Sequence, residues 1–343
     1  MAKILIVAPS WIGDTVAAQP LLMRLKEYYP LHVLEVLAAP WVAPVLEAMP
    51  EVNRVIPCAF KHGEFGLGSR WRLGRSLRAE GYEAAYILPN SWKSALVPFF
   101  AGIPLRVGFL GEKRYGLLNR IHVLEPDRLP RQVQRYAQLA EPVGGTLPEP
   151  LPNPALETKA EHVARTLQEL GLPASPAPII FCPGAEYGPA KRWPERYFAQ
   201  IARQLAKHKP QIWMLGSAKD APVAEEIIKL AGGLGVNLCG KTRLDQAIDL
   251  ISCAALVLTN DSGLMHVAAA LGRPQVALFG SSTPDYTPPL SDLAEVATLK
   301  LACSPCFKRE CPLGHFRCMN DLTPQLVYPR IRAILRHGHQ AAS

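Results

Sequence analysis

The feature that most restricts the fold is a unit that recurs through the second half of the chain. A short apolar run ends in Gly, Ser, Asn or Asp and passes at once into a helical pattern. PIIFCPG, QIWMLGS, VNLCG, LVLTND and VALFGSS are five such strands, and helical spacing lies between them around residues 195 to 207, 222 to 231 and 244 to 253. Uncharged strands joined by helical crossovers predict a parallel sheet covered on both faces. The first half has the same alternation, with KILIVA, HVLEVLA and EAAYILP separated by stretches such as GSRWRLGRSLRAEG. Between the halves, LPEPLPNP at 147 to 154 is too rich in proline for either element and reads as a linker. The expected architecture is two doubly wound α/β domains, 1–150 and 155–323, facing each other across a cleft. A last helix near 324–343 is expected to pack back on the first domain.

In parallel sheets of this kind ligands bind outside the carboxyl ends of the strands, so the strand-end residues carry the functional argument. The richest corner is TNDSGLMHVAAALGRP. Leu264, Val267, Ala268 and Leu271 fall at helical spacing after it, and Gly272 and Pro274 stop the helix. Asp261 or Ser262 would serve simply as a cap. His266, set off the apolar stripe, and the SSTP ending the next strand argue instead for a pocket at Asp261, Ser262, Gly263 and His266. The N–H groups of a helix start favour an anion there.

Asp14, which closes the loop APSWIGD, is either a helix cap or a carboxylate suited to general-base work. Lys191 and Arg192 in GPAKRWP are either a solvated pair or a clamp on a diphosphate. Ser217 and Lys219 in GSAKD, and Thr242 in GKTRLD, also end strands and are candidates to hold a ribose and a base. Neither G-x-G-x-x-G nor the P-loop pattern is present, which sets aside nicotinamide dehydrogenases and P-loop kinases.

The chain has 343 residues, 49% hydrophobic and 19% charged, with a formal net charge of +8. Residues 60 to 120 hold ten Lys or Arg against four Asp or Glu, a local excess of six. That points to an anionic partner, or to a solvated basic face. The N-terminal MAKILIVAPSWIGD meets an acid before any small-residue cleavage site, so no secretory signal is expected. SALVPFFAGIPL, bounded by Lys93 and Arg106, is too short for a transmembrane helix.

APSWIGDTV, LPNSWKSALVPFFAGI, GPAKRWP and TNDSGLMHVAAALGRP, in this order, resemble the ADP-heptose:lipopolysaccharide heptosyltransferase family, glycosyltransferase family 9. The resemblance spans residues 1 to about 290. It implies a GT-B fold, with the acceptor bound by the first domain and the nucleotide sugar by the second. It implies inverting transfer of L-glycero-D-manno-heptose from ADP-heptose to the first heptose of a lipid A–Kdo2–heptose acceptor, through an α1→3 linkage and with no cofactor or metal. Asp14 matches the base, Lys191 the pyrophosphate contact, and Asp261, Ser262, Gly263 and His266 the donor loop. The anionic acceptor also gives the basic stretch a partner, for which Ser10, Trp11, Lys61, Lys93, Arg114 and Arg120 are candidates. A cytoplasmic enzyme touching the inner face of the inner membrane, with no nucleic-acid partner, is expected. The alternatives are a sister heptosyltransferase with another acceptor position and, in a different class, a zinc-bearing nucleic-acid-binding protein. That last alternative rests on the basic stretch and on Cys303, Cys306, Cys311 and Cys318. The quartet is open to three readings: a structural metal site, free thiols, or a redox pair or cluster. It lies outside the matched motifs, and no metal ligand is assigned from it.

Overall fold

A computed structural model describes residues 2–58, 60 and 65–340. It divides into two compact units, Met1–Pro154 and Ala155–Ser343. The first unit contains, in chain order, β1 (Lys3–Val7), α1 (Ile12–Ala17), α2 (Gln19–Tyr28), β2 (Val33–Ala38), α3 (Ala43–Glu47) and β3 (Arg54–Pro57). It continues with α4 (Leu67–Leu77), β4 (Tyr82–Ile87), α5 (Leu96–Phe100), β5 (Leu105–Phe109), β6 (Arg120–His122) and α6 (Gln132–Gln138). Its strands form one sheet of order β3-β2-β1-β4-β5-β6, with every pairing parallel.

The second unit begins with α7 (Ala160–Glu169), β7 (Ile179–Cys182), α8 (Glu195–Leu205), β8 (Ile212–Met214), α9 (Ala221–Leu230) and β9 (Val236–Asn237). It ends with α10 (Leu244–Ser252), β10 (Leu256–Asn260), α11 (Gly263–Ala270), β11 (Gln275–Phe279), β12 (Ala294–Thr298), α12 (Arg317–Asn320) and α13 (Pro324–Gln340). Its sheet runs β12-β11-β10-β7-β8-β9, again parallel throughout. In each unit the strand order reverses at one point, β1/β4 in the first and β7/β10 in the second. At such a reversal neighbouring crossovers leave in opposite directions and open a crevice at the carboxyl edge.

The strands read from the apolar runs are the central ones, together with the edge strand β9 from VNLCG. β7, β10 and β11 are buried at every residue, because helices cover both faces of a parallel sheet. The strands that pattern reading passed over are β3, β5, β6 and β12. β3, β6 and β12 form sheet edges, and a charged residue (Arg54, Arg106, Arg120 or Glu295) breaks each apolar run. An edge strand needs only one covered side, so its composition need not be apolar.

Val327 and Ile331 of α13 are fully buried in the second unit's core with Phe181, Phe198 and Leu278. The helix thus packs on α8 and β11 of its own unit. Among the described residues no helix is long and apolar enough to cross a membrane.

Candidate active site

The β7/β10 reversal collects the strand-end residues of the second unit. Asn260 ends β10, and its side chain donates to the Pro183 carbonyl at 2.7 Å and accepts from the Trp193 N–H at 3.1 Å. Trp193 is itself buried and donates its indole N–H to the Leu322 carbonyl at 2.6 Å. The loop after β7 and the short 3₁₀ turn Pro189–Lys191 are thereby pinned against the end of β10.

That placement brings Lys191 Nζ within 2.5 Å of Asp261 Oδ2. The side chain of Asp261 is 6% exposed and that of Lys191 17%. Ser282, from the SSTP after β11, donates its hydroxyl to the same Oδ2. Oδ1 accepts no hydrogen bond among the described residues. A carboxylate this deeply buried needs a cation and donors to offset its lost hydration, and it has both. The cap reading fails for both candidates: the cap position of α11 is Ser262, and its hydroxyl makes no capping bond, lying instead 3.3 Å from Thr259 Oγ1. Gly263 opens the helix. His266 is buried in its first turn, and desolvation holds its imidazole below the usual range, partly offset by Asp261.

The neighbouring corner, GSAKD, is built differently. Ser217 donates both its backbone N–H and its hydroxyl to Asp220, at 2.9 and 2.7 Å. Asp220 is buried, and a Cβ on Gly184 would stand 2.3 Å from its carboxyl carbon, so only glycine lets the two loops meet. Arg192 approaches the other carboxylate oxygen at 3.8 Å. Lys219 points outward to an exposed Glu186 at 2.6 Å. Thr242 is half-buried on the adjoining loop.

The cysteine segment proves to be part of this region. The Arg309 carbonyl accepts the Ala190 N–H at 3.0 Å, and a Cβ on Gly188 would meet that carbonyl oxygen at 2.5 Å. Tyr187 donates to the Phe307 carbonyl at 2.8 Å, and the Phe307 N–H reaches Ser281 O at 2.7 Å. Residues 303–318 therefore buttress both the Lys191 turn and the Ser282 loop. Cys303, Cys306, Cys311 and Cys318 line one small cavity with Ala190 and Ser281, and none of the four is in a disulfide. Among the described residues no three His, Cys, Asp or Glu side chains are grouped to hold a metal ion.

In the first unit a cavity of about 140 Å³ opens at the carboxyl ends of β1, β2 and β4, lined by Ser10, Trp41, Arg70, Ser91 and Lys93 among others. Arg70 is buried with its guanidinium 3.9 Å above the Phe60 ring. Asp14 does not cap α1. Trp11 holds that position, and Asp14 lies half-buried in the first turn. Trp11 is exposed.

Arg114 requires correction. It is fully buried, donating to the Phe109 and Pro89 carbonyls at 2.5 and 2.7 Å and to Ser94 Oγ at 3.1 Å. Burial pushes its guanidinium down to about 10. It ties the loops after β4 and β5 together, and a guanidinium used in this way is not presented to an acceptor. Arg120 is exposed on edge strand β6, away from the cavity lining. Lys61 lies outside the described residues.

Ser282, Asn260 and Asp220 were not singled out from sequence. The first belonged to a motif already read as pocket-forming, and the second precedes Asp261. The third carries the S-x-x-D signature of a capping box. Their distances to Lys191, Pro183 and Gly184 have no linear signal.

Two doubly wound units with polar strand ends at the reversal points make a GT-B-type glycosyltransferase fold. The chain belongs to glycosyltransferase family 9 (heptosyltransferase), whose model matches residues 70–317. It is 45% identical to lipopolysaccharide heptosyltransferase 2 of Escherichia coli over 342 residues, 97% of this chain and 98% of that one. It is 26% identical to lipopolysaccharide heptosyltransferase 3 of Escherichia coli over 79% of this chain and 80% of that one. The solved structure of Escherichia coli ADP-heptose lps heptosyltransferase II superposes with a TM-score of 0.88 at 44% identity, covering 98% of this chain and 99% of that chain. The chain is an enzyme that transfers a glycosyl group, and the nucleic-acid-binding alternative gives way to it.

Proposed function

We propose that the protein transfers L-glycero-D-manno-heptose from ADP-heptose to the first heptose of a lipid A–Kdo2–heptose acceptor, inverting the anomeric centre to form an α1→3 bond. The observation that carries the reading is the buried Lys191–Asp261 pair at the β7/β10 reversal. It sets a cation for a leaving diphosphate beside a carboxylate able to accept sugar hydroxyls. The 45% identity to a type-2 enzyme against 26% to a type-3 enzyme supports this acceptor position over a sister one.

In this mechanism Asp14 takes the proton of the acceptor hydroxyl as its oxygen attacks the anomeric carbon. The bond from that carbon to the β-phosphate oxygen breaks, and its electron pair leaves with ADP. Lys191 meets the charge that grows on the diphosphate, which is larger in the transition state than in the bound donor. Asp261 Oδ1 accepts a heptose hydroxyl while Oδ2 keeps Lys191 and Ser282 in place. The first turn of α11, from Ser262 and Gly263 with His266 behind it, faces the donor, and Ser217, Lys219 and Thr242 border its nucleoside. On the acceptor side Ser10, Trp11 and Lys93 contact the anionic inner core. No metal or cofactor is needed, since Lys191 supplies the positive charge, and transfer is expected to survive chelation. The reaction is placed at the cytoplasmic face of the inner membrane, where a lipid-linked acceptor would lie.

The deciding experiment incubates the protein with ADP-heptose and lipid A–Kdo2 carrying one heptose and weighs the product. A gain of one heptose residue is expected. Folded protein that binds ADP but gives no gain would overturn the acceptor assignment.

A further inference from the structure

Helix α4 of the first unit has a face that its fold does not use. Arg70, Leu73, Gly74 and Leu77 turn inward at the i, i+3, i+4, i+7 spacing of a packed stripe. Gly74 is required there, because a Cβ would stand 2.5 Å from the Phe100 Cβ of α5. Down one flank of the same helix run Leu67, Trp71, Arg75 and, one residue past its end, Arg78, all exposed. Leu67 and Trp71 are 46% and 50% exposed. The Arg75 guanidinium lies 5.8 Å over the Trp71 ring. At the amino end, Phe65 and Trp92 stack on each other with ring centroids 6.0 Å apart and are both exposed.

Four large apolar side chains left in water beside arginines do not stabilise a monomer; they suit a surface that is apolar and anionic at once. Residues 65–79 hold Arg70, Arg72, Arg75 and Arg78 and no acid; of the described carboxylates around them, Glu80 is engaged by Lys3 and Arg54, and Glu112 accepts the Trp92 N–H at 2.6 Å. Tryptophan favours the headgroup level of a bilayer, and arginine favours anionic headgroups.

We propose that this flank of α4, with Phe65 and Trp92, docks the enzyme on an anionic phospholipid surface. The choice of occupant rests on the lipid-linked acceptor proposed above. The surface itself does not.

The full chain is tested by co-sedimentation with phosphatidylcholine vesicles, with and without phosphatidylglycerol. Binding is expected only with the anionic lipid and is expected to weaken as salt rises. Leu67→Ser/Trp71→Ser and Arg75→Glu/Arg78→Glu should each reduce it about tenfold or more, and Trp71→Phe should retain it. Transfer to a water-soluble, deacylated acceptor should stay within about twofold in every variant, with melting temperature unchanged. Loss of that transfer in the unmodified protein would count against the reaction and leave vesicle binding as a separate result. Equal binding by the variants and the unmodified protein would overturn the docking surface. So would binding of a single-stranded oligonucleotide in preference to the vesicles.

Discussion

Lys191 and Lys219 stand at neighbouring corners of the same sheet edge, and each has a carboxylate oxygen within hydrogen-bonding reach, at 2.5 and 2.6 Å. The two corners nevertheless differ in kind. Lys191 and Asp261 are largely withdrawn from water, whereas the side chains of Lys219 and Glu186 are 72% and 52% exposed. An exposed pair gains little, because water and salt screen it and two long side chains must be immobilised. A buried pair is held rigid, because each charge would be costly alone. Distance therefore does not separate these two ion pairs; enclosure does. The GSAKD corner has its own enclosed carboxylate in Asp220, but it is satisfied locally by Ser217 and shapes the loop.

The largest expected effect extends the comparison to the first unit. Asp14 is half-buried in the first turn of α1, and as the base it should be needed for rate. Asp14→Asn is expected to lower turnover by about 10²-fold or more with ADP affinity unchanged. If the carboxylate only favours the helix dipole, stability alone should fall, by about 0.3–1 kcal/mol.

Next comes Lys191→Met. Weaker ADP binding together with a turnover loss of about 10²-fold is expected, on the scale of removing one preorganised charge stabiliser. Steady-state kinetics and calorimetry separate the two. A loss of affinity with turnover intact would make Lys191 a ground-state contact.

Asp261→Ala sharpens the pair itself. Removing a carboxylate beside a diphosphate site should leave ADP affinity equal or tighter, while transfer from ADP-heptose drops by about 1.5–3 kcal/mol. An equal weakening of ADP in Asp261→Ala and Lys191→Met would instead show that Asp261 serves only to place Lys191.

Smaller changes are expected at the second corner. Gly184→Ala drives a methyl into the Asp220 carboxyl, and denaturant unfolding should show a loss of about 1–3 kcal/mol. Lys219→Ala should cost less than about 1 kcal/mol of stability and, at the border of the nucleoside and away from the diphosphate, should lower transfer far less than Lys191→Met. A Lys219 effect as large as that of Lys191 would break the distinction between the corners.

The amino-acid sequence by itself determined the fold class, most of the strands and the polar residues that end them. Periodicity and strand-end residues are local properties, and parallel sheets write them plainly. The resemblance carried by four motifs reached the family. What only the tertiary structure decided depends on residues far apart in the chain. Arg114 looked like one more basic residue for the acceptor, and burial against the Pro89 and Phe109 carbonyls makes it a tie between loops. The cysteine segment looked peripheral, and backbone bonds from Ala190 and Phe307 set it beneath the Lys191 turn. The periodicity of the last helix does not name its partners, and the apolar faces of α8 and β11 hold Val327 and Ile331. Ser282 lies 21 residues from Asp261 and meets it only because β10 and β11 are adjacent strands. A hydrogen bond depends on separation in space, which the order of residues does not state.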